Sequence, residues 1–105
     1  MKEISPAEKI IATVKCPASK SYTNRALLIA SLAKGLSTLR NPLFSDDTKY
    51  MRLALEQFGI SVKQEDCSFM VSGSGGHIQC PRNEISIGLA GTTMRFLTTF
   101  AALSP

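Results

Sequence analysis

Residues 17–25 (PASKSYTNR) combine small hydroxyl side chains with basic ones, directly before the apolar run at residues 26–30 (ALLIA). The apolar run predicts a buried helix, and Ser19, Ser21 or Thr23 could each serve as its N-cap. A capping side-chain oxygen accepts a hydrogen bond from an N–H group of the first helical turn. The remaining free N–H groups and the positive end of the helix dipole favour a bound anion.

Two basic residues of the same run suit that role. Lys20 adds a mobile point charge, and Arg25 adds a planar guanidinium that fits phosphate or carboxylate. We therefore predict an anion-binding helix start at this point of the chain. The alternative is an ordinary capped helix whose basic side chains are solvated.

A similar helix start recurs near the end of the chain. Residues 91–93 (GTT) form a flexible, N–H-rich turn before the apolar residues 94–103, with Arg95 in the first helical turn. With an offset of seventy positions, Thr23, Arg25 and Leu27 coincide with Thr93, Arg95 and Leu97. This coincidence predicts an internal repeat of a βαβαββ-like unit.

The composition indicates a protein with a hydrophobic core and a small anionic ligand. The chain has 105 residues, 44% of them hydrophobic, and a net charge of +4. Its twelve Lys and Arg residues are scattered, whereas a nucleic-acid groove needs clustered ones. Three cysteines without CxxC spacing favour reduced thiols in the cytoplasm over a disulfide scaffold. Cys67, His77 and Cys80 lack a fourth metal ligand, and no stretch is long enough to span a bilayer.

Hydrophobic periodicity and turn residues predict the secondary structure. The predicted helices cover residues 26–33, 45–58 and 94–103, and the predicted strands cover residues 10–14, 37–39, 60–62, 69–71 and 84–87. The first helix is apolar almost all round, so we expect it to be buried on most sides. The last helix is similarly apolar and has nothing after it to cover it, which predicts an N-terminal part of a longer protein.

Three motifs of this sequence resemble those of the 5-enolpyruvylshikimate-3-phosphate (EPSP) synthases. Residues 17–28 (PASKSYTNRALL) are similar to the first signature of the family, and residues 41–48 (NPLFSDDT) are similar to its Ser-Asp-Asp element. Residues 89–95 (LAGTTMR) are similar to its Asn-Ala-Gly-Thr-Ala-Met-Arg loop. The three motifs occur in the family's order and spacing over nearly the whole chain.

The resemblance implies a cytoplasmic enzyme of the shikimate pathway, which makes chorismate for aromatic amino acids. Such an enzyme transfers the enolpyruvyl group of phosphoenolpyruvate to shikimate 3-phosphate, without a metal or an organic cofactor, and acts as a monomer. Its fold is a two-domain inside-out α/β barrel in which each domain contains three βαβαββ units. By this analogy residues 1–15 belong to the other, C-terminal domain. Residues 16–105 then form the first unit and the start of the second.

Site residues follow from the resemblance position by position. Lys20 would contact both substrates, while Ser21 and Arg25 would hold shikimate 3-phosphate. Gly91 and Thr92 would present backbone N–H groups to phosphoenolpyruvate, with Arg95 supporting that loop or its anion, and Asp47 would lie near Lys20 and the incoming phosphoenolpyruvate. For Arg25 and Arg95, a structural ion pair with Asp46 or Asp47 is a compatible alternative.

Two positions depart from the family pattern. Leu89 stands where the family usually has Asn, and Phe96 replaces a common Pro, so the geometry at phosphoenolpyruvate and the inhibitor sensitivity are open. The family's acid and base carboxylates have no counterpart in this sequence, and we expect the isolated chain to be inactive. Two further hypotheses are the sister transferase acting on UDP-N-acetylglucosamine and a non-enzymatic or RNA-processing relative of the same architecture. The first typically has Asn where this chain has Ser21, and the second needs a basic surface.

Overall fold

The computed structural model describes residues 2–88 and 91–105. Helices and strands follow one another as α1 (Lys20–Leu32), β1 (Lys34–Arg40), α2 (Asp46–Gln57), β2 (Ser61–Glu65), β3 (Ser68–Ser74) and α3 (Gly91–Ala101). This α+β order matches the predicted βαβαββ unit without its first strand. Helix α3 follows this unit, and its assignment to the start of a second unit stays a prediction.

The three strands form one antiparallel sheet in which β3 lies between β1 and β2. Pairing of Glu65 with Ser68 leaves a two-residue turn at residues 66–67, where Asp66 has a φ of 47°. Asp tolerates this left-handed conformation better than most residues because its short side chain can hydrogen-bond locally. The predicted hairpin between residues 60–62 and 69–71 is therefore confirmed, with longer strands than the sequence pattern indicated.

Helix α1 begins after Ser19, whose side chain accepts a hydrogen bond from the backbone N–H of Tyr22 at 3.3 Å. Of the three candidate caps, Ser19 is the one used. Leu27 is fully buried, but Ile29 on the opposite face is 68% exposed. The prediction that α1 is buried on most sides is wrong, because the sheet and the other helices cover only one of its faces.

Helix α2 has a well-defined start and end. Ser45 and Thr48 form a reciprocal capping box, with the Ser45 N–H donating to Thr48 Oγ1 at 2.9 Å. At the other end, the N–H groups of Gly59 and Ile60 donate to the carbonyls of Glu56 and Leu55. Gly59 has a φ of 88°, the left-handed conformation that ends many helices. These local signals fix the length of α2 and direct the chain into β2.

The core lies between the inner face of the sheet and the three helices. Its buried hydrophobic residues come from every helix and strand except β1. They also come from the segments that precede β2 and α3. They are Leu27, Ala30, Met51, Ala54, Leu55, Phe58, Ile60, Val62, Phe69, Val71, Ile78, Ile87, Leu97 and Phe100. Partly buried side chains of α1 and α3, among them Leu28 and Phe96, pack against this cluster.

The C-terminal end of α1 contacts the end of β3 directly. The Gly75 N–H donates to the Ala33 carbonyl at 3.0 Å, and the Ser74 hydroxyl donates to the Ser31 carbonyl at 3.2 Å. Gly73 makes this approach possible, because a Cβ there would overlap the Ala33 carbonyl oxygen. Backbone contact at this point sets the height of α1 on the sheet, and so the position of its N-terminus.

Two predicted strands do not form. Residues 10–14 are exposed and have no strand pairing, so the strand prediction is wrong for the described chain; their assignment to a second domain stays a prediction. Residues 84–87 also lack a strand partner, but Ile85 and Ile87 line a small cavity with Phe58 and residues of α3. Their alternating apolar pattern reflects packing against a helix instead of pairing in a sheet. Within the described residues, no helix has the length and apolarity needed to cross a bilayer.

Candidate functional site

The start of α1 presents the predicted anion-binding side chains on adjacent faces. Ser21 and Arg25 are both exposed and lie one turn apart on the same side of the helix, since residues four apart are neighbours on a helix. The guanidinium carbon of Arg25 lies 6.0 Å from the centre of the Tyr22 ring. Ser21 and Arg25 therefore form a solvent-accessible pair beside Lys20.

Lys20 contacts the start of α2. Its Nζ lies 3.0 Å from Oδ2 of Asp47, and the two side chains are 48% and 25% exposed. The first and second sequence motifs, which are separated along the chain, therefore meet at two helix N-termini. Among the described residues no ion pair joins Arg25 or Arg95 to an aspartate, because the Asp47 carboxylate faces Lys20. The alternative ion pairs with Asp46 or Asp47 are wrong for this structure.

The third motif contacts the start of α2 through Thr93. Its hydroxyl donates to the backbone carbonyl of Asp47 at 3.3 Å, and the residue is fully buried. Gly91 and Arg95 are exposed, and Thr92 is half-buried. The N-termini of α1, α2 and α3 thus converge around Asp47. Leu89, which replaces the usual Asn of the motif, lies outside the described residues, and Phe96 occupies the sixth position of α3.

Thr23 ties α1 to the segment that precedes α2. Its hydroxyl donates to the Ser19 carbonyl at 2.6 Å and accepts from the Leu43 N–H at 3.0 Å. Thr23 and Thr93 thus play comparable roles, since each is buried and bridges its own helix start to residues of another element. The other two repeat pairs also agree in burial. Leu27 and Leu97 are buried in the core, and Arg25 and Arg95 are exposed.

Sequence reasoning missed Asn24. Its side chain is fully buried, and neither Nδ2 nor Oδ1 has a hydrogen-bond partner among the described residues. Leaving such a group unsatisfied costs about 1–3 kcal/mol, so it is an unusual feature in a core. The sequence prediction began this helix at residue 26, whereas the helix begins at Lys20 and places Asn24 one turn after it.

A further cavity lies on the other side of α1. It has a volume of about 540 Å³ and is bounded by the segment before α1, by α1 itself and by the end of β1. Tyr22 and Arg40 line it, whereas Lys20, Ser21 and Arg25 do not. Among the described residues, no group of three His, Cys, Asp or Glu side chains is placed to hold a metal ion. The convergent helix starts present charged side chains, hydroxyl groups and backbone N–H groups without an acceptor in the helix.

The family model of EPSP synthase (3-phosphoshikimate 1-carboxyvinyltransferase) matches residues 4–105 of the chain. The chain belongs to the EPSP synthase family. All three motifs that meet around Asp47 fall within the matched range.

Relatives from distant organisms support the EPSP synthase assignment. The chain is 49% identical to the 3-phosphoshikimate 1-carboxyvinyltransferase of Nostoc sp. over 94 residues, which are 88% of this chain and 22% of that protein. It is 48% identical to the enzyme of that name from Rhizobium leguminosarum over 101 residues, 95% of this chain and 24% of the relative. The chain thus spans about a quarter or less of the length of these curated relatives.

A solved structure agrees with the fold. EPSP synthase from Acinetobacter baumannii superposes with a TM-score of 0.75 and 24% sequence identity, over 80% of this chain and 19% of that one. The similarity shows that both share the arrangement of helices and strands described above.

Proposed function

We propose that this chain forms part of the substrate site of an enzyme that transfers the enolpyruvyl group of phosphoenolpyruvate to a hydroxyl of shikimate 3-phosphate, with release of phosphate. The observation that carries the proposal is the contact between Lys20 and Asp47, which joins two family motifs at two helix N-termini. Membership of the EPSP synthase family supports the choice of substrates. Of the three functional hypotheses drawn from the sequence, this family match favours the first.

Shikimate 3-phosphate would bind at the start of α1. Its phosphate carries up to two negative charges, and Lys20 and Arg25 supply two positive ones near the positive end of the helix dipole. The Ser21 hydroxyl can donate to a phosphate oxygen, and it lies on the same face as Arg25. A planar guanidinium, an ammonium and a hydroxyl together fix both the charge and the orientation of the ligand.

Phosphoenolpyruvate would bind between the starts of α1 and α3. Gly91 and Thr92 lie in the first turn of α3, where backbone N–H groups have no acceptor within the helix. Arg95 adds a further positive charge in the same part of α3. Lys20 would contact both substrates, since its ammonium already reaches across to Asp47. Two anions that repel each other are thereby brought together by fixed positive groups.

The described part of the site provides binding and charge stabilisation rather than proton transfer. Asp47 is engaged with Lys20 and would act as the group that orients the ammonium near phosphoenolpyruvate. The acid and base carboxylates that the reaction requires are expected outside these 105 residues. We therefore propose that the isolated chain binds shikimate 3-phosphate but does not turn over. The complete enzyme would be a cytoplasmic monomer that needs no metal and no organic cofactor.

A heteronuclear NMR titration of the purified chain with shikimate 3-phosphate tests the proposal. Amide shifts are expected around Lys20, Ser21 and Arg25, and Lys20→Ala should weaken binding by about tenfold or more, since a hydrogen bond to a charged group is lost. Lys63→Ala removes the same charge from an exposed position on β2 and should leave binding unchanged. A folded chain without shifts at millimolar ligand would contradict the site. Measurable conversion of the two substrates by the isolated chain at micromolar concentration would contradict the expected inactivity.

A further inference from the structure

The buried carboxamide of Asn24 stands apart from the other buried polar side chains of the described chain. Thr23, Ser31, Thr48 and Thr93 each make at least one hydrogen bond through the hydroxyl group. Asn24 is equally buried, but both of its polar atoms lack a partner among the described residues. A carboxamide can accept through its oxygen and donate through its nitrogen, so it has the full capacity of a free hydrogen-bonding group.

The position of Asn24 on α1 indicates what it faces. Lys20, Asn24, Leu28 and Leu32 are spaced four residues apart and form one ridge along the helix. Leu28 and Leu32 line an apolar groove of about 260 Å³ against α3. The α3 side of the groove consists of Phe96, Thr99, Phe100 and Leu103. The ridge that carries Asn24 is therefore the one that packs on α3.

The two helices run in the same direction from this point. Lys20 and Thr93 both contact Asp47, so the N-termini of α1 and α3 lie at the same end of the fold. One turn back from Leu28 on α1 is Asn24, and one turn back from Phe96 on α3 is Thr92. By this register, the part of α3 that is level with Asn24 is its first turn, whose N–H groups have no acceptor within the helix.

From this juxtaposition we propose that Asn24 is a positioning residue. It couples anion binding at the start of α1 to the position of the start of α3. When an anion binds at Lys20, the Asn24 carboxamide hydrogen-bonds the main chain of residues 91–93 and draws the first turn of α3 towards α1. It accepts from an N–H group and donates to a carbonyl of that turn. The proposal rests on the proposed function for the identity of the two anions, but the coupling itself needs only an anion at Lys20.

The test is an NMR titration of the 105-residue chain with inorganic phosphate. In the unmodified chain, phosphate shifts the amides of residues 20–25 and also those of residues 91–93. Asn24→Leu keeps a similar shape without polar atoms, and it should abolish the shifts at residues 91–93 while those at residues 20–25 persist. Because Asn24→Leu removes both coupling hydrogen bonds, it should weaken phosphate binding by at least about three- to tenfold.

Ser31→Ala provides the matched control. Ser31 is another fully buried polar residue of α1, and its hydroxyl donates to the Leu27 carbonyl within the helix. This variant should keep both sets of shifts. The thermal midpoint of Asn24→Leu should be at or above that of the unmodified chain, because the unpaired polar group is replaced by an apolar one. Asn24→Ala serves as a second variant if Asn24→Leu does not fold.

The outcomes separate this inference from the proposed function. Shifts at residues 91–93 that persist in Asn24→Leu would overturn the inference, as would their absence in the unmodified chain when phosphate is bound. If shikimate 3-phosphate binds no more tightly than inorganic phosphate, the proposed function fails. The response of residues 91–93 to Asn24→Leu still decides the role of Asn24 in that case.

Discussion

The hydroxyl of Thr93 donates to the backbone carbonyl of Asp47 over 3.3 Å, although the two residues are 46 positions apart in the sequence. The side chain of the same aspartate contacts Lys20. Asp47 therefore joins α3 through its main chain and α1 through its carboxylate. A displacement of α2 at this point would move both anion-binding helix starts together.

Replacing Thr93 tests that link. Thr93→Val keeps the shape of the side chain but removes the donor to Asp47, so we expect a loss of about 1 kcal/mol in the free energy of unfolding. Thr98→Val on the same helix removes a hydroxyl that is exposed and donates to Met94. That control should change stability by less than about 0.5 kcal/mol, as surface substitutions usually do. Equal losses in urea unfolding would argue against a structural role of the Thr93 contact.

The choice of N-cap in α1 predicts a difference between two nearby serines. Ser19→Ala removes the acceptor for the Tyr22 N–H and should cost about 1 kcal/mol of stability. Ser21 is exposed inside the first turn, so Ser21→Ala should leave the free energy of unfolding within about 0.5 kcal/mol. Chemical denaturation of both variants measures the two values. A larger loss of stability for Ser21→Ala than for Ser19→Ala would contradict the assignment of Ser19 as the N-cap.

The ion pair between Lys20 and Asp47 predicts a gain in anion binding when the carboxylate is removed. Asp47→Asn frees the ammonium to bind phosphate and should tighten binding by about two- to fivefold, the range expected from a solvent-accessible pair. Asp46→Asn removes the same charge from the same helix end, but Asp46 is exposed and makes no ion pair in the described chain. Isothermal titration with phosphate distinguishes the two, and identical gains would mean that only net charge matters.

At Gly73 we expect that even a single added methyl group is not tolerated. In Gly73→Ala the added Cβ would overlap the backbone carbonyl oxygens of Ala33 and Ala30, so α1 would have to move away from β3. We expect a loss of about 3 kcal/mol or more in the free energy of unfolding. Gly91→Ala is the control, because among the described residues no atom beyond its neighbours along the chain lies within 4 Å of its Cβ position. Since Gly91 lies in a helix, this change should be neutral or should stabilise by up to about 1 kcal/mol. Similar losses in both variants would contradict the close approach at Gly73.

Local signals in the sequence were sufficient to predict much of the fold. Ser45 and Gly59 bound α2 because a capping hydroxyl and a left-handed glycine act within a few residues of the helix they limit. The short apolar runs at residues 60–62 and 69–71 sufficed for the hairpin. In contrast, the pattern at residues 84–87 is the same whether the apolar face meets a strand or a helix. Only the tertiary structure shows that it meets α3.

The arrangement of the site depends on contacts between distant parts of the chain, which local sequence patterns do not encode. The motif resemblance placed Asp47 near Lys20, and the structure has them in contact. Helical periodicity alone could not reveal that Ile29 is exposed while Asn24 is buried, because hydropathy ranks the two residues the other way round. Which face of α1 is covered is determined by its approach to β3 and α3, and these elements lie more than 30 positions further along the chain.

The central place of β3 in the sheet has a consequence for synthesis on the ribosome. The N-terminal part of a chain emerges first. Of the three strands of the described sheet, β3 is the last to emerge, although β1 and β2 each pair with it. Until residues 68–74 have emerged, β1 and β2 have no partner, and the apolar faces of α1 and α2 have no sheet to cover. A translational pause before residue 68 would therefore expose the nascent chain to aggregation, whereas a pause after β3 has emerged from the exit tunnel would leave the sheet complete.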